Sequence, residues 1–325
     1  MTRRTALVAV AALTVTPAHS VTGPQLPGVR ILPDREMMIT VPGGRAYVRI
    51  DGDLGGPLAP VVFLHGGPGS THYYFLNATA MAGERAVILY DQLDSGRSDA
   101  PGDPANWQVG RFVDELEAIR VALGVPRWHV VGQSWGGTIA LNYGARRPPA
   151  LASLVLQSPL IDTAAWLRDA RRLKATMPPA IRRLLDVCDT PGAASAAECE
   201  AATAAFYRRF VQLTDPPPAI AAYRGALPRR FSADIYSAMW GRAEFTATGS
   251  LRDYDGRPLL RRLDGGRTLF LAGEHDEARP ATVRGFARAA GASFAVIPSA
   301  AHVAMADNPA GYLAILRPWL ARHDA

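Results

Sequence analysis

Cysteine is scarce in this chain: Cys188 and Cys199 are the only two in 325 residues. Two such ligands make a poor zinc site, and no metal or cofactor is expected. The pair is close in sequence, with a Thr-Pro-Gly turn from Thr190 to Gly192 between. In an oxidising compartment it can form a disulfide; the alternative is two free thiols. Beyond the first 20 residues no apolar run is long enough for a membrane-spanning helix, so stable membrane insertion of the mature chain is not expected. The basic residues are nearly all arginine and lie in scattered pairs such as Arg171-Arg172 and Arg229-Arg230. The formal charge of +6 therefore comes without the dense basic patch or reading motif of a nucleic-acid binder. Solvated helix faces account for the pairs, and no nucleic-acid partner is expected. No internal repeat or low-complexity tract is visible.

What is present is apolar: 48% of the residues, enough for one large domain with a buried core and a smaller inserted unit. The N-terminus carries Arg3 and Arg4, an apolar run from Ala6 to Val15, and small residues at Ala18 and Ser20. That pattern reads as a signal peptide over residues 1–20, cleaved near Ala18 or Ser20, and implies a secreted or periplasmic protein. The competing reading is a loose N-terminal extension. Val21 to Pro33, rich in Pro and Gly, reads as a linker.

From there strands and helices alternate. Met37–Val41 and Arg45–Ile50 read as short strands, and Val61–Leu64, Val87–Tyr90, Trp128–Val131 and Leu154–Leu156 as buried ones. Helical spacing covers Val113–Leu123 and about Gly137–Ala145. The alternation predicts an α/β fold with a mostly parallel sheet and helices on both faces. Residues 159–257 break it. They are rich in Ala and Arg, carry both cysteines and read as helices over 164–174, 180–187, 196–213, 217–224 and 232–239. They are expected to form a helical cap inserted between two parts of a core, 21–158 and 258–325. Strands resume at Thr268–Leu271 and Phe294–Ile297, and a helix over about 309–322 closes the chain.

One motif carries the chemistry. Gly132-Gln133-Ser134-Trp135-Gly136 is a G-x-S-x-G directly after a buried strand and before a helix, the context of a nucleophile elbow. Its turn is too tight for Cβ atoms at the glycines, and it lifts the Ser134 hydroxyl to a helix N-terminus that favours developing negative charge. A serine hydroxyl needs a base. In this architecture the chain order is serine, acid, histidine. His275, His302 and His323 follow Ser134, and His302 stands in the loop after the last strand, where the base belongs. The acid follows the preceding strand: Asp276 fits best, with Glu274 and Glu277 as competitors. The oxyanion needs two backbone donors, Trp135 N–H and one from the loop His65-Gly66-Gly67-Pro68-Gly69. Gly67 is the expected donor, with Gly66 beside the substrate.

With Asp91-Gln92-Leu93-Asp94-Ser95-Gly96-Arg97-Ser98, Gly273-Glu274-His275-Asp276-Glu277-Ala278-Arg279-Pro280 and Glu244-Phe245-Thr246-Ala247-Thr248-Gly249, these motifs resemble the proline iminopeptidases. That branch of the α/β-hydrolases includes the tricorn-interacting aminopeptidases. The likeness spans about residues 35–318. It implies a serine exopeptidase that releases an N-terminal residue, often proline, from short peptides. It also implies that Glu244 helps bind the substrate's amino group, consistent with the need of a partly dry ammonium for a carboxylate. The family usually supplies a second cap glutamate in a stretch matching Phe206 to Pro218. Here Asp215 is the only acid there, and it is the expected substitute. The alternatives are an esterase, amidase or lactonase on an uncharged or N-acylated small substrate, or a binding protein on a hydrolase scaffold.

Overall fold

Short runs of Val, Ile, Leu and Phe with no polar face can only be buried on both sides, and here they form the middle of one sheet. The computed structural model describes residues 21–324 except Asp189 and Pro191. The expected signal peptide, with Ala18 and Ser20, lies outside the described residues. The strands are β1 (Arg35–Val41), β2 (Gly44–Asp51), β3 (Val61–Leu64), β4 (Val87–Asp91), β5 (Trp128–Gln133), β6 (Leu151–Gln157), β7 (Thr268–Gly273) and β8 (Ser293–Ile297). Their order is β1-β2-β4-β3-β5-β6-β7-β8. β1 and β2 form an antiparallel hairpin, β2 runs antiparallel to β4, and every pairing from β4 to β8 is parallel.

The helices are α1 (Val109–Ala122), α2 (Trp135–Ala145), α3 (Thr163–Ala175), α4 (Pro179–Val187), α5 (Ala196–Phe210), α6 (Pro218–Gly225), α7 (Ala233–Met239), α8 (Arg257–Leu260), α9 (Pro280–Ala289), α10 (Ala304–Asp307) and α11 (Pro309–Arg322). Side chains alternate across each strand, so successive residues feed opposite faces. Val62 and Leu64 pack with α1, α2 and α9 through Phe112, Ile139 and Val283. Val61 and Phe63 pack on the other face with Phe75, Leu313 and Leu316.

Between β6 and β7 the described residues add no strand. α3 to α5 gather a separate apolar cluster around Met177, Leu185, Ala202, Phe206 and Phe210. A disulfide joins Cys188 at the end of α4 to Cys199 in α5, with Cα atoms 5.6 Å apart.

Three elements depart from expectation. Residues His72–Met81 form a 3₁₀ segment, buried on nearly every side; with no polar face it shows no helical stripe in sequence. α9 follows the Gly273–Pro280 motif with a short apolar stripe that was not read as a helix. The Val21–Pro33 stretch is not a free linker. Gly23 N donates to Asp215 O (2.7 Å), Leu26 N to Asn77 Oδ1 (3.0 Å) and Arg30 N to Thr79 Oγ1 (2.8 Å), so it straps across the 3₁₀ segment.

Candidate active site

The loops that leave the C-terminal ends of β3, β5, β7 and β8 converge, the usual crevice for ligands in parallel sheets. Ser134 follows β5 with φ 55° and ψ −119°, a conformation that a non-glycine residue holds only under constraint. The constraint is visible in its neighbours. A Cβ on Gly136 would stand 2.2 Å from Leu64 O, and one on Gly132 2.2 Å from Gly136 O. α2 thus packs directly on β3 and β5. Ser134 N donates to Gln157 O (3.0 Å) and Ser134 O accepts from Leu160 N (3.2 Å), which fixes the turn against the end of β6.

His302 Nδ1 lies 2.9 Å from Asp276 Oδ1. That carboxylate is otherwise saturated: Oδ1 accepts from Ala278 N (2.9 Å), and Oδ2 from Gly273 N (3.0 Å) and the Ser158 hydroxyl. An acceptor at Nδ1 assigns the proton of the neutral ring there and leaves Nε2 as the free nitrogen. The His302 ring is also held edge-on by Trp166, with ring centres 5.5 Å apart. Ser134 and His302 line one cavity of about 250 Å³ together with Gly66, Gly67, Tyr74, Gln133, Tyr207 and Glu244. No hydrogen bond joins Ser134 Oγ to His302 among the described residues; in ligand-free sites such bonds are often long and tighten on substrate binding.

The His65–Gly69 loop is fixed through Gln92. Gln92 N donates to His65 Nε2 (3.0 Å), Gln92 Nε2 to His65 O (2.8 Å), and Trp135 Nε1 to Gln92 Oε1 (2.8 Å). Burial lowers His65 to about 4, so the ring stays neutral and can accept at Nε2 and donate from Nδ1 to Gly66 O (2.9 Å). Gly66 lines the cavity, but its N–H is already given to Tyr74 Oη (2.5 Å). Among the described residues no hydrogen bond engages the N–H of Gly67 or of Trp135, so both remain available to a ligand. Gly67 has φ +109°, a backbone that L side chains rarely adopt.

Two carboxylates stand beside His302. Glu244 lines the cavity; its Oε1 accepts from Tyr236 Oη (2.9 Å) and its N donates to Tyr207 Oη (3.2 Å). Glu277 is 3% exposed, with Oε1 3.8 Å from His302 Nε2 and without a hydrogen-bond partner among the described residues. Burial, with repulsion from Glu244 and Asp276, pushes Glu277 well above the usual carboxylate range. Burial also raises Glu244, against the opposing pull of His302 and the Tyr236 hydroxyl. Two acids that repel each other, one buried and one half-buried, invite a cation.

Asp215 does not join them. It is absent from the cavity wall, its carboxylate pairs with Arg208 at 3.0 Å on the surface, and its backbone ladders with Val21 and Gly23. The N-terminal strap has drawn it away. The second acid beside His302 is Glu277, which sequence reasoning weighed only as a rival to Asp276. Its adjacency to Asp276 in the Gly273–Pro280 motif was the available signal.

The end of α5 binds both loops at once. Phe210 O accepts from Glu277 N (3.1 Å) and from His302 N (3.2 Å), and Val211 O from Val303 N (2.8 Å).

Comparison with known proteins agrees with this architecture. Residues 59–309 match the alpha/beta hydrolase fold family. The proline iminopeptidase of Heyndrickxia coagulans is 36% identical over 287 residues, covering 88% of this chain and 98% of that protein. That of Levilactobacillus brevis is 35% identical over 286 residues, covering 86% and 94%. The crystal structure of the proline iminopeptidase from Mycobacterium smegmatis superposes with a TM-score of 0.79 at 32% identity, covering 89% of this chain and 99% of that one. With fold, motifs and near full-length likeness in agreement, the chain belongs to the proline iminopeptidase family of α/β-hydrolases.

Proposed function

We propose that this hydrolase is a serine aminopeptidase that releases N-terminal proline or another small residue from short peptides or amides through an acyl-enzyme. The observation that carries this reading is the pair Glu244 and Glu277 beside His302: Glu277 is buried with an unpartnered oxygen, and Glu244 is on the wall that also holds Ser134. A substrate ammonium there replaces carboxylate repulsion by attraction and positions the first carbonyl over Ser134.

In the proposed sequence Ser134 Oγ attacks that carbonyl carbon while His302 Nε2 takes its proton. The N–H groups of Trp135 and Gly67 receive the oxyanion; one such donor is worth roughly 2.7–4 kcal/mol. The imidazolium, held by Asp276, passes the proton to the leaving amine, and the C–N bond breaks. Water, deprotonated by His302, then attacks the acyl-Ser134 ester, and the released acid leaves Ser134 protonated again. Residues 159–257 serve in this reading as a cap that supplies Glu244 and the rear wall. We further propose export through residues 1–20; the Cys188–Cys199 disulfide supports an oxidising destination.

The test compares proline β-naphthylamide with its N-acetyl form and with short p-nitrophenyl esters. The aminopeptidase reading expects the free amine to be preferred by roughly 10²-fold in kcat/KM. Equal turnover of the blocked amide would favour the esterase or amidase alternative. A fluorophosphonate that failed to label Ser134 would revive a binding protein.

A further inference from the structure

We propose that the mouth of the cavity holds a subsite for the free carboxylate of the substrate, so that the substrate class is the short peptide with an unblocked C-terminus. This deepens the aminopeptidase reading and rests on it. The cavity wall is charged with opposite signs: Glu244 with Glu277 behind it, and Arg224 and Arg230. Other arginines of the same helices and loops are engaged, Arg208 with the Asp215 carboxylate at 3.0 Å and Arg229 with the Ser98 carbonyl. Arg224 and Arg230 make no ion pair among the described residues, although both line the cavity.

The fold holds each of them in place. Tyr223 Oη meets His72 Nε2 at 2.7 Å, and His72 Nδ1 meets Asp91 Oδ1 at 2.8 Å. This buried chain ties α6 to the end of β4. The next residue on each side, Arg224 and Tyr73, then meet as a guanidinium over a ring, 5.0 Å from its centre. Arg224 therefore rests on an aromatic wall of the cavity, which restricts its side chain. Arg230 sits in a stretch pinned on both sides: Arg229 Nη2 donates to Ser98 O, Ser232 N to Gly69 O (2.8 Å), and Ser232 Oγ to Asp94 O. A guanidinium fork matches a carboxylate in two parallel hydrogen bonds. A zwitterionic dipeptide carries an ammonium and a carboxylate, and the cavity wall carries an acid, Glu244, and two arginines. A blocked or long chain offers no carboxylate there.

The test measures kcat/KM for Pro-Gly, Pro-Gly-amide and proline β-naphthylamide, at low and high salt. The two dipeptides share the scissile bond and differ only in the terminal carboxylate. Both arginines border solvent, so the expected preference for Pro-Gly over its amide is about fivefold, shrinking with salt. In R224Q/R230Q the ratio should fall to about one through a higher KM for Pro-Gly. A purely structural role would slow both dipeptides alike and keep the ratio. A ratio of one in the wild type, or a ratio retained in the double variant, overturns the subsite. Failure of the wild type to cleave proline β-naphthylamide overturns the aminopeptidase reading itself.

Discussion

The sheet and the helical insertion contribute different things to one cavity. In the proposed reading the sheet supplies the reacting groups: Ser134 after β5, Asp276 after β7 and His302 after β8. Each is fixed by backbone contacts that leave no room for variation, such as the 2.2 Å that separates a would-be Gly136 Cβ from Leu64 O. The insertion supplies, in the same proposal, the selecting groups: Glu244 with its Tyr207 and Tyr236 partners, and Arg224 and Arg230. Its own apolar cluster is small and is supplemented by the disulfide. Only the part of the insertion around α4 and α5 packs as its own cluster; α6 and α7 bury Tyr223 and Tyr236 in the clusters on the two faces of the sheet. Sheet and insertion meet at Phe210 O, which accepts from the backbones of both Glu277 and His302.

The most severe way to test this division is on the sheet. Ser134→Ala should abolish turnover of amines, blocked amides and esters alike, by at least roughly 10⁴-fold in kcat. Thermal unfolding should change little, because the hydroxyl makes no hydrogen bond among the described residues. A residual selective activity would place the attacking group elsewhere.

On the recognition side, Glu277→Gln should cost roughly 10²-fold in kcat/KM on proline β-naphthylamide while p-nitrophenyl ester turnover survives. The pH dependence carries the same signature. Both acids are raised by burial, so protonation neutralises them above the ordinary carboxylate range. Activity on free amines should therefore fall on acidification by an extra limb that esters lack, and Glu277→Gln should move that limb. Parallel profiles for amine and ester would put Glu277 outside recognition.

The mildest effect falls on the insertion alone. Opening the Cys188–Cys199 bridge, which closes a loop with a sequence separation of 11, should lower the stability of that unit by about 2–3 kcal/mol. Hydrogen exchange should quicken in α4 and α5 first. If β5 and β7 exchange faster to the same extent, the two regions unfold as one.

Much of this was legible because the signals are local. Val61–Leu64 and Thr268–Leu271 are apolar on both sides of the pleat and could be little else than central strands, and the G-x-S-x-G between strand and helix marks its own turn. Chain order pointed to His302 and to Asp276, with Glu274 and Glu277 as rivals for the acid. The 3₁₀ segment at His72–Met81 was hidden because total burial erases periodicity. Asp215, expected at the substrate, and Glu277, expected only as a rival to Asp276, were not legible because neither position depends on its own neighbours. A strap from Val21 to Gly23 takes one to the surface, and the end of α5 holds the other beside His302.

The amino-acid sequence alone determined that a serine would stand on a strand-to-helix turn within a parallel sheet, since spacing, glycine and burial pattern act over a few residues. Only the tertiary structure decided which carboxylates stand beside His302. Burial, repulsion and a shared carbonyl are properties of segments distant in sequence that come together only when the insertion packs onto the sheet.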